Sequence, residues 1–163
     1  MRFMIFTFCA ALTCANFASM TAHAADGADS PLTAWQADRT TVLDAAEVDL
    51  TEFQWQARPI VVFSDTPADP AFQRQLDLLN SRIEELVARD VVLITDTNPG
   101  ERSDLRTKLR PRGFMLTLIG KDGGVKLRKP FPWDVRELTR QIDKMPLRLQ
   151  EINDAKEAPR NGE

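Results

Sequence analysis

Three apolar runs in the middle of the chain have the pattern of strands that are buried on both faces. The first two extend from Pro59 to Phe63 and from Val91 to Thr95, and both are rich in β-branched residues. Continuous apolar runs of this length are typical of strands that helices cover on both sides. A third run, from Phe114 to Ile119, has the same character. These runs predict the centre of a sheet.

The segment between the first two runs has helical spacing. Five apolar residues recur there at intervals of four, three, four and three: Phe72, Leu76, Leu79, Ile83 and Leu86. This spacing predicts one helix of about five turns with a single apolar stripe. Asp69 is a suitable N-cap, and Pro70 suits the first helical position, where its missing N–H costs nothing. The three elements together predict a parallel βαβ unit.

The remaining elements complete a mixed sheet. We expect a short helix over 103–109 and a last helix over 133–145. Lys121-Asp122-Gly123-Gly124 is a hairpin turn, after which 125–128 returns antiparallel to the third run. The predicted fold class is α/β, with a central mixed sheet and helices on both faces.

The domain organisation follows from these elements. Residues 58–152 form the predicted domain, and residues 25–57 form an N-terminal extension with its first elements. Thr41–Leu43 is a candidate short strand in that extension. Residues 153–163 are polar and small, so we expect a flexible tail.

The first 24 residues have the pattern of a secretory signal peptide. Arg2 supplies the positive start, Phe3–Ala15 is an apolar core of suitable length, and Ala22-His23-Ala24 is a small-x-small cleavage site. The apolar run is short for a membrane span. We therefore expect export, most simply to the periplasm, with a chain that begins near Ala25 and is not inserted in the membrane after cleavage.

Cleavage would remove every thiol and the one imidazole side chain of the sequence. Both cysteines, Cys9 and Cys14, and the single histidine, His23, lie in the first 24 residues, and the chain has no tyrosine. The remaining protein would lack thiol redox chemistry, histidine bases and most zinc or copper sites. Two alternatives stay open. A lipid-modified start would keep Cys14, and an uncleaved anchor would keep both cysteines.

Charge and motifs exclude several function classes. The net charge is −3, and no basic patch dominates, so we expect neither nucleic acid nor an anionic membrane as the main partner. No motif for a dinucleotide, a P-loop or a serine nucleophile is present. The acidic run 44–52 lacks the spacing of a calcium loop. We therefore predict no cofactor, no metal site and no catalytic residue.

The segment Val61–Ala71 resembles the strand and loop of thioredoxins that lead into their Cys-Gly-Pro-Cys motif. Phe63 and Pro70 match the thioredoxin pattern without a gap. Ala68 and Ala71 stand where the two redox cysteines belong. The resemblance implies a thioredoxin-like fold without redox activity, because alanine cannot attack a disulfide.

A second segment extends this resemblance. Arg112–Leu116 is similar to the thioredoxin segment that contains a cis-proline, and Met115 occupies the position of that proline. Val62 stands where thioredoxins keep a buried aspartate. The thioredoxin scaffold presents an extended peptide beside the cis-proline segment, so the resemblance implies a peptide groove near Met115 and Ala68.

The chain also resembles the bacterial domain of unknown function 4174. The matching segments are spread over most of the chain: Phe53–Trp55, Arg58–Pro59, Ala88–Asp90, Leu118–Arg128 and Ile142–Arg148. That family is thioredoxin-like and usually exported, and it shares a domain with animal extracellular proteins that carry sushi repeats. The resemblance implies the fold and export, and no established reaction.

The ends of the predicted parallel strands supply a candidate ligand site. Ligands in open α/β sheets bind beyond the carboxyl ends of such strands. The polar candidates there are Asp65, Thr66, Asp69 and Asp96, with Arg112 ahead of the third strand. The alternative interpretation is helix capping and loop solvation, since Asp69 is already explained as an N-cap.

Three functions remain in view. The first is a non-redox binding module for a protein or peptide, with Ala68 and Met115 at the contact. The second is a hydrolase-type or cation-dependent enzyme that uses Asp65, Asp69, Asp96 and Arg112. The third is a structural role in the envelope, as the animal relatives of the family suggest.

Overall fold

The computed structural model describes residues 30–157, and a five-stranded mixed sheet forms its centre. The strands are β1 (Val42–Asp44), β2 (Arg58–Phe63), β3 (Val91–Asp96), β4 (Met115–Ile119) and β5 (Val125–Lys129), in the spatial order β1-β3-β2-β4-β5. β1, β3 and β2 are parallel, β4 runs antiparallel to β2, and β5 runs antiparallel to β4. The predicted α/β class and mixed sheet are confirmed.

Six helices surround this sheet in the described residues. They are α1 (Pro31–Ala37), α2 (Pro70–Asn80), α3 (Ile83–Val87), α4 (Asp104–Leu109), α5 (Val135–Asp143) and α6 (Pro146–Glu157). The short helix before β4, the hairpin between β4 and β5 and the helix after β5 agree with the sequence pattern. α1 and α6 were not predicted as full helices.

Helices cover both faces of the sheet, as β2 shows. Ile60 and Val62 belong to one apolar cluster, which also contains residues of α2, α3 and α5. Val61 and Phe63 belong to a second cluster, which contains residues of α1 and α4. Because successive side chains of a strand point to opposite faces, a strand with both faces covered is apolar along most of its length. All six residues of β2 are buried.

The predicted long helix is two helices. α2 ends at Asn80 and α3 begins at Ile83, because Arg82 leaves the helical region with φ −139° and ψ 37°. The apolar stripe continues across the break, since Leu79 and Leu86 are both fully buried. The prediction of a single five-turn helix was therefore wrong, although the buried face was identified correctly.

Asp69 caps α2 as predicted. Its side chain accepts a hydrogen bond from the backbone N–H of Ala71 at 2.7 Å, and Pro70 occupies the first helical position. Replacing Asp69 with alanine should lower the free energy of unfolding by about 1 kcal/mol, because one amide at the helix start loses its acceptor. Chemical denaturation measures this loss. The matched control is Asp77→Ala in the middle of α2, and an equal loss there would contradict the capping role.

The residues before position 58 belong to the same fold. β1 pairs with β3, and the Trp35 indole N–H of α1 donates to the carbonyl of Val91 at 3.2 Å. The predicted strand over 41–43 is thus β1, displaced by one residue.

The predicted flexible tail is partly helical. α6 continues to Glu157, so the expectation for 153–157 was wrong, since these residues extend a helix that begins at Pro146. Residues 158–163 lie outside the described residues, as do the predicted signal peptide, Cys9, Cys14 and His23. Across 30–157, none of the helices is long and apolar enough to span a membrane.

Candidate functional site

The ends of β2 and β3 and the start of β4 lie together at one end of the sheet, which we call the rim. Asp96 ends β3 and lies opposite Phe63, the last residue of β2. Phe63 in turn lies opposite Met115, the first residue of β4. The loops that follow β2 and β3 therefore lie beside the loop that precedes β4, as the sequence predicts.

An arginine from α4 organises the rim. The Arg106 guanidinium donates to Oδ1 of Asp96 through Nε at 3.0 Å and through Nη2 at 2.7 Å. The same Nη2 lies 2.8 Å from the carbonyl oxygen of Ser64. Nη1 lies 3.6 Å from Oδ1 of Asp65, whose side chain is 62% exposed. Arg106 thus joins the ends of β2 and β3 to α4.

Asp96 is fully engaged in this arrangement. It is buried, and its Oδ2 accepts a hydrogen bond from the hydroxyl of Ser103 at 2.6 Å. Ser103 is the N-cap of α4, since its oxygen accepts from the backbone N–H of Arg106. Both carboxylate oxygens therefore hold structural partners. This arrangement anchors α4 and leaves Asp96 poorly suited to act as an acid, a base or a cation ligand.

The arginine predicted at the rim was the wrong one. We expected Arg112 beside the carboxylates, but Arg106 contacts them, because α4 places its side chain over the end of β3. Arg112 is exposed and lines a separate groove. No local pattern in the sequence marks Arg106, because its partners Asp96 and Ser64 lie 10 and 42 residues away.

The loop after β2 is held by local hydrogen bonds. The Ser64 hydroxyl lies 3.0 Å from Oδ2 of Asp69, and the backbone N–H of Ala68 donates to Oγ1 of Thr66 at 3.3 Å. Asp65, Thr66 and Ala68 are all exposed. The loop is therefore ordered and accessible. The structure brings Asp65 and Asp96 together through Arg106, whereas Asp69 is occupied with capping α2.

Met115 and Arg112 lie in a groove of about 270 Å³ on the β5 side of β4. The groove is lined by Arg110, Arg112, Phe114, Met115, Arg128, Lys129 and Pro130. Four of these side chains are cationic and none is acidic, although the whole chain is acidic. Ala68 is not among the lining residues and lies in the loop between β2 and α2. That one partner contacts both Ala68 and Met115 stays a prediction.

Aromatic side chains extend this surface beyond the groove. Lys129 Nζ lies 4.2 Å from the ring centroid of Trp133 and 5.9 Å from that of Phe131. The Phe131 side chain is 53% exposed. Lys129 therefore lies near two aromatic rings, and its contact with Trp133 is the closer one.

A second charged cluster, which the sequence did not indicate, lies at the opposite end of the sheet; we call it the basal network. Arg58 is 1% exposed, and its Nη2 contacts Oε1 of Glu151 at 2.8 Å. Lys121 Nζ lies 2.8 Å from the same oxygen and 2.8 Å from Oδ2 of Asp90. Arg148 reaches Oε2 of Glu151 at 3.1 Å. Because α6 has no buried residue, this network fastens α6 to the sheet.

The basal network makes the free energy of unfolding depend on pH in the acidic range. Burial raises the pKa of Glu151, but hydrogen bonds from Arg58, Lys121 and Arg148 outweigh it and lower the pKa from 4.5 to about 2. A carboxylate with a lowered folded-state pKa stabilises the fold above its unfolded pKa, and this contribution is lost as the pH falls towards 2. We expect a loss of about 2 kcal/mol between pH 5 and pH 2 from this group, allowing for its partial solvent contact.

Glu151→Gln is the variant that tests this dependence. Unfolding free energies at several pH values should show a shallower acid slope in Glu151→Gln than in the unchanged protein. Some slope will remain, because hydrogen bonds from Arg89 lower the pKa of Asp143 as well. Glu157→Gln, at the exposed end of α6, is the control. Equal slopes in all three proteins would contradict the role of Glu151.

Metal chemistry has no visible site in the described part of the chain. Within 30–157, no three His, Cys, Asp or Glu side chains lie close enough together to hold a metal ion. The carboxylates of Asp65 and Asp96 instead lie beside the guanidinium of Arg106.

Comparison with known families gives one match that covers most of the chain. The model of the domain of unknown function DUF4174 matches residues 49–151. The match begins before β2 and ends within α6, so it includes the rim, the groove and most of the basal network.

Similar solved structures are thioredoxin-like proteins. A reduced 2-Cys peroxiredoxin from Plasmodium vivax is 15% identical with a TM-score of 0.51, and the alignment covers 66% of this chain and 85% of that chain. A mitochondrial 2-Cys peroxiredoxin from Plasmodium falciparum is 18% identical with a TM-score of 0.46, over 72% and 92% of the two chains. Chloroplastic thioredoxin z is 24% identical with a TM-score of 0.43, over 55% and 81%. At 15% identity the likeness to the Plasmodium vivax protein concerns the fold alone.

Proposed function

Because the chain belongs to the DUF4174 family and has a thioredoxin-like fold, we propose that it is a non-redox binding module for a protein partner. The observation that carries this proposal is the groove at Met115, which combines apolar side chains with four cations. The groove lies beside β4, the strand whose first residue corresponds to the thioredoxin cis-proline position. A peptide-binding surface can persist on this scaffold when the cysteines are absent, because binding needs shape and charge rather than a thiol.

The charge of the groove defines the chemistry of the partner. Phe114, Met115 and Pro130 offer apolar contacts, and Arg110, Arg112, Arg128 and Lys129 surround them. A complementary segment would carry apolar residues interspersed with aspartate or glutamate. Arg128 already has one hydrogen-bond partner, since it donates to the carbonyl of Leu109 at 2.7 Å. Arg112 is exposed, and among these four cations it is the one that we expect to contact a partner.

Two synthetic peptides test this preference. One alternates Phe or Leu with Glu, and the other has Lys in place of every Glu. We expect the acidic peptide to bind, and Arg112→Glu to weaken its binding about tenfold, because an attractive charge becomes a repulsive one. Fluorescence anisotropy at two salt concentrations measures the affinities, and binding should weaken at high salt.

Arg74→Glu is the matched control, because Arg74 is an exposed arginine on α2 that does not line the groove. It should change the affinity less than twofold. Equal affinity for the two peptides, or equal effects of the two substitutions, would contradict an acidic partner at the groove.

An enzymatic function of the rim residues is less well supported than partner binding. Both oxygens of Asp96 are held by Arg106 and Ser103, so the rim offers no free pair of carboxylates. A structural role in the envelope remains compatible with protein binding, and the identity of the partner would distinguish it. We expect no thiol oxidoreductase activity, because alanines stand at positions 68 and 71.

Export is part of the same proposal. The pattern of residues 1–24 supports a periplasmic protein from which the signal peptide has been removed. The intact mass of the protein recovered from a periplasmic extract should correspond to a chain that begins near Ala25. A mass that retains the first 24 residues would favour the uncleaved anchor, and a lipid adduct on Cys14 would favour the lipidated form.

A further inference from the structure

A small pocket lies beside the basal network, at the end of the sheet opposite the rim. Its volume is about 130 Å³, and it is lined by Arg58, Gly120, Lys121, Asp122, Lys126, Met145, Pro146 and Leu147. Arg58 begins β2, so the pocket is separated from the rim by the length of that strand, about 17 Å. It is therefore independent of the groove at Met115.

The lining of this pocket combines positive charge with apolar walls. Arg58, Lys121 and Lys126 are cationic, whereas Asp122 is the single carboxylate among the lining residues. Asp122 is already paired with Lys126 at 2.6 Å. Met145, Pro146 and Leu147 form the apolar side, at the start of α6. A pocket of this kind suits a ligand with an anionic head and an apolar body.

Arg58 places a buried cationic group in the wall of the pocket. Its side chain is 1% exposed, and its Nη1 and Nη2 contact the carbonyl of Arg89 and the carboxylate of Glu151, each at 2.8 Å. Its Nε has no acceptor among the described residues. An arginine buried this completely normally has its donors satisfied, because desolvating the charge is costly.

The surrounding network has more cations than anions. Its positive members are Arg39, Arg58, Arg89, Lys121 and Arg148, and its negative members are Asp90, Asp143 and Glu151. Positive side chains therefore outnumber carboxylates by two, although Arg58, Arg89 and Arg148 also donate to the backbone carbonyls of Arg89, Glu85 and Ala88. An excess of positive side chains favours the binding of an anion.

We propose that this pocket binds a small organic carboxylate, with its carboxylate at Lys121 and Lys126 beside Arg58, and its carbon chain against Met145 and Leu147. A carboxylate fits better than a phosphate, because the apolar walls favour a singly charged head with an apolar body. An apolar cavity of about 150 Å³ holds benzene, so a chain of about five carbons matches the volume. This site goes beyond the proposed partner binding and does not depend on it.

The test is an NMR titration of the whole protein with pentanoate. We expect saturable shifts of the backbone amides of Gly120, Lys121 and Leu147, and no shift at Met115. Pentylammonium, which has the opposite charge, should leave all of these amides unchanged. Inorganic phosphate should shift them only weakly. Shifts with phosphate but not with pentanoate would overturn the assignment to a carboxylate.

A substitution that spares the buried network makes the test specific. The Lys126 side chain is 36% exposed and pairs with Asp122, so Lys126→Gln should fold. We expect it to weaken pentanoate binding about fivefold, because one of the cations that line the pocket is lost. Lys156→Gln, at the exposed end of α6, should leave binding unchanged. No saturable shift with pentanoate, or equal affinity in both variants, would overturn the proposal, whatever the groove at Met115 binds.

Discussion

Replacing Arg58 with alanine is expected to lower the free energy of unfolding by about 3–5 kcal/mol, the range for breaking a buried ion pair. The guanidinium is 1% exposed and contacts Glu151 and the carbonyl of Arg89. Removing it leaves Glu151 with fewer partners and opens a cavity beneath α6. Since α6 has no buried residue, we also expect its amides to exchange faster with solvent.

The control for this substitution is Arg74→Ala on the exposed surface of α2. It should change stability by less than about 0.5 kcal/mol. The double substitution Arg58→Met with Glu151→Leu should recover only part of the loss, since an apolar pair avoids the desolvation of two charges but takes a carboxylate partner from Lys121 and Arg148. Denaturant unfolding measures all three proteins. A loss below 1 kcal/mol for Arg58→Ala would show that the basal network does not hold α6.

Replacing Arg106 with alanine is the second large effect that we expect, at about 3 kcal/mol. Asp96 is buried, and without Arg106 its Oδ1 loses both charged hydrogen bonds. The carbonyl of Ser64 loses a donor in the same step. Arg106→Lys should recover only part of the loss, because an ammonium cannot reproduce the forked contacts of a guanidinium.

A double-mutant cycle separates this pair from its surroundings. Arg106→Ala and Asp96→Ala should be strongly non-additive, with a coupling free energy of about 2 kcal/mol. Lys108→Ala, in the same helix but exposed, is the matched control. Additive losses would contradict the role of Arg106 as the link between α4 and the sheet.

The Arg106→Ala substitution should also affect the groove at Met115. α4 leads directly into the segment that carries Arg110 and Arg112, so loosening α4 should also displace these two cations. We therefore expect Arg106→Ala to weaken binding of the acidic peptide, although Arg106 does not line the groove. The residue acts through the position of α4 and is a positioning residue.

The central part of the fold could be predicted because its pattern is local. The apolar runs of β2 and β3, the N-cap at Asp69 and the hairpin turn at 121–124 each depend on residues that are close in sequence. α1 has only one buried residue, Trp35, so its seven residues show no helical stripe. The break between α2 and α3 was hidden because the apolar stripe crosses it unchanged.

The charged sites could be predicted only in part. Asp65 and Asp96 follow strands, so their common edge of the sheet follows from topology. Arg106 and Arg58 have no such signal, because each acts through partners that the fold brings from elsewhere in the chain. Glu151, for example, lies 93 residues from Arg58 in sequence. Charged residues in a short helix or before a strand are more often solvated, and tertiary structure decides the exceptions.

Photo-crosslinking in cells tests whether a protein partner covers the groove. Photoreactive residues at Met115 and Phe131 probe the groove and its exposed ring, and one at Glu84 on α3 probes a different surface. We expect a discrete protein adduct at Met115 and Phe131 that is absent at Glu84 and reduced by Arg112→Glu. No adduct at Met115, or the same adducts at Glu84, would contradict a partner-binding groove on this face of the protein.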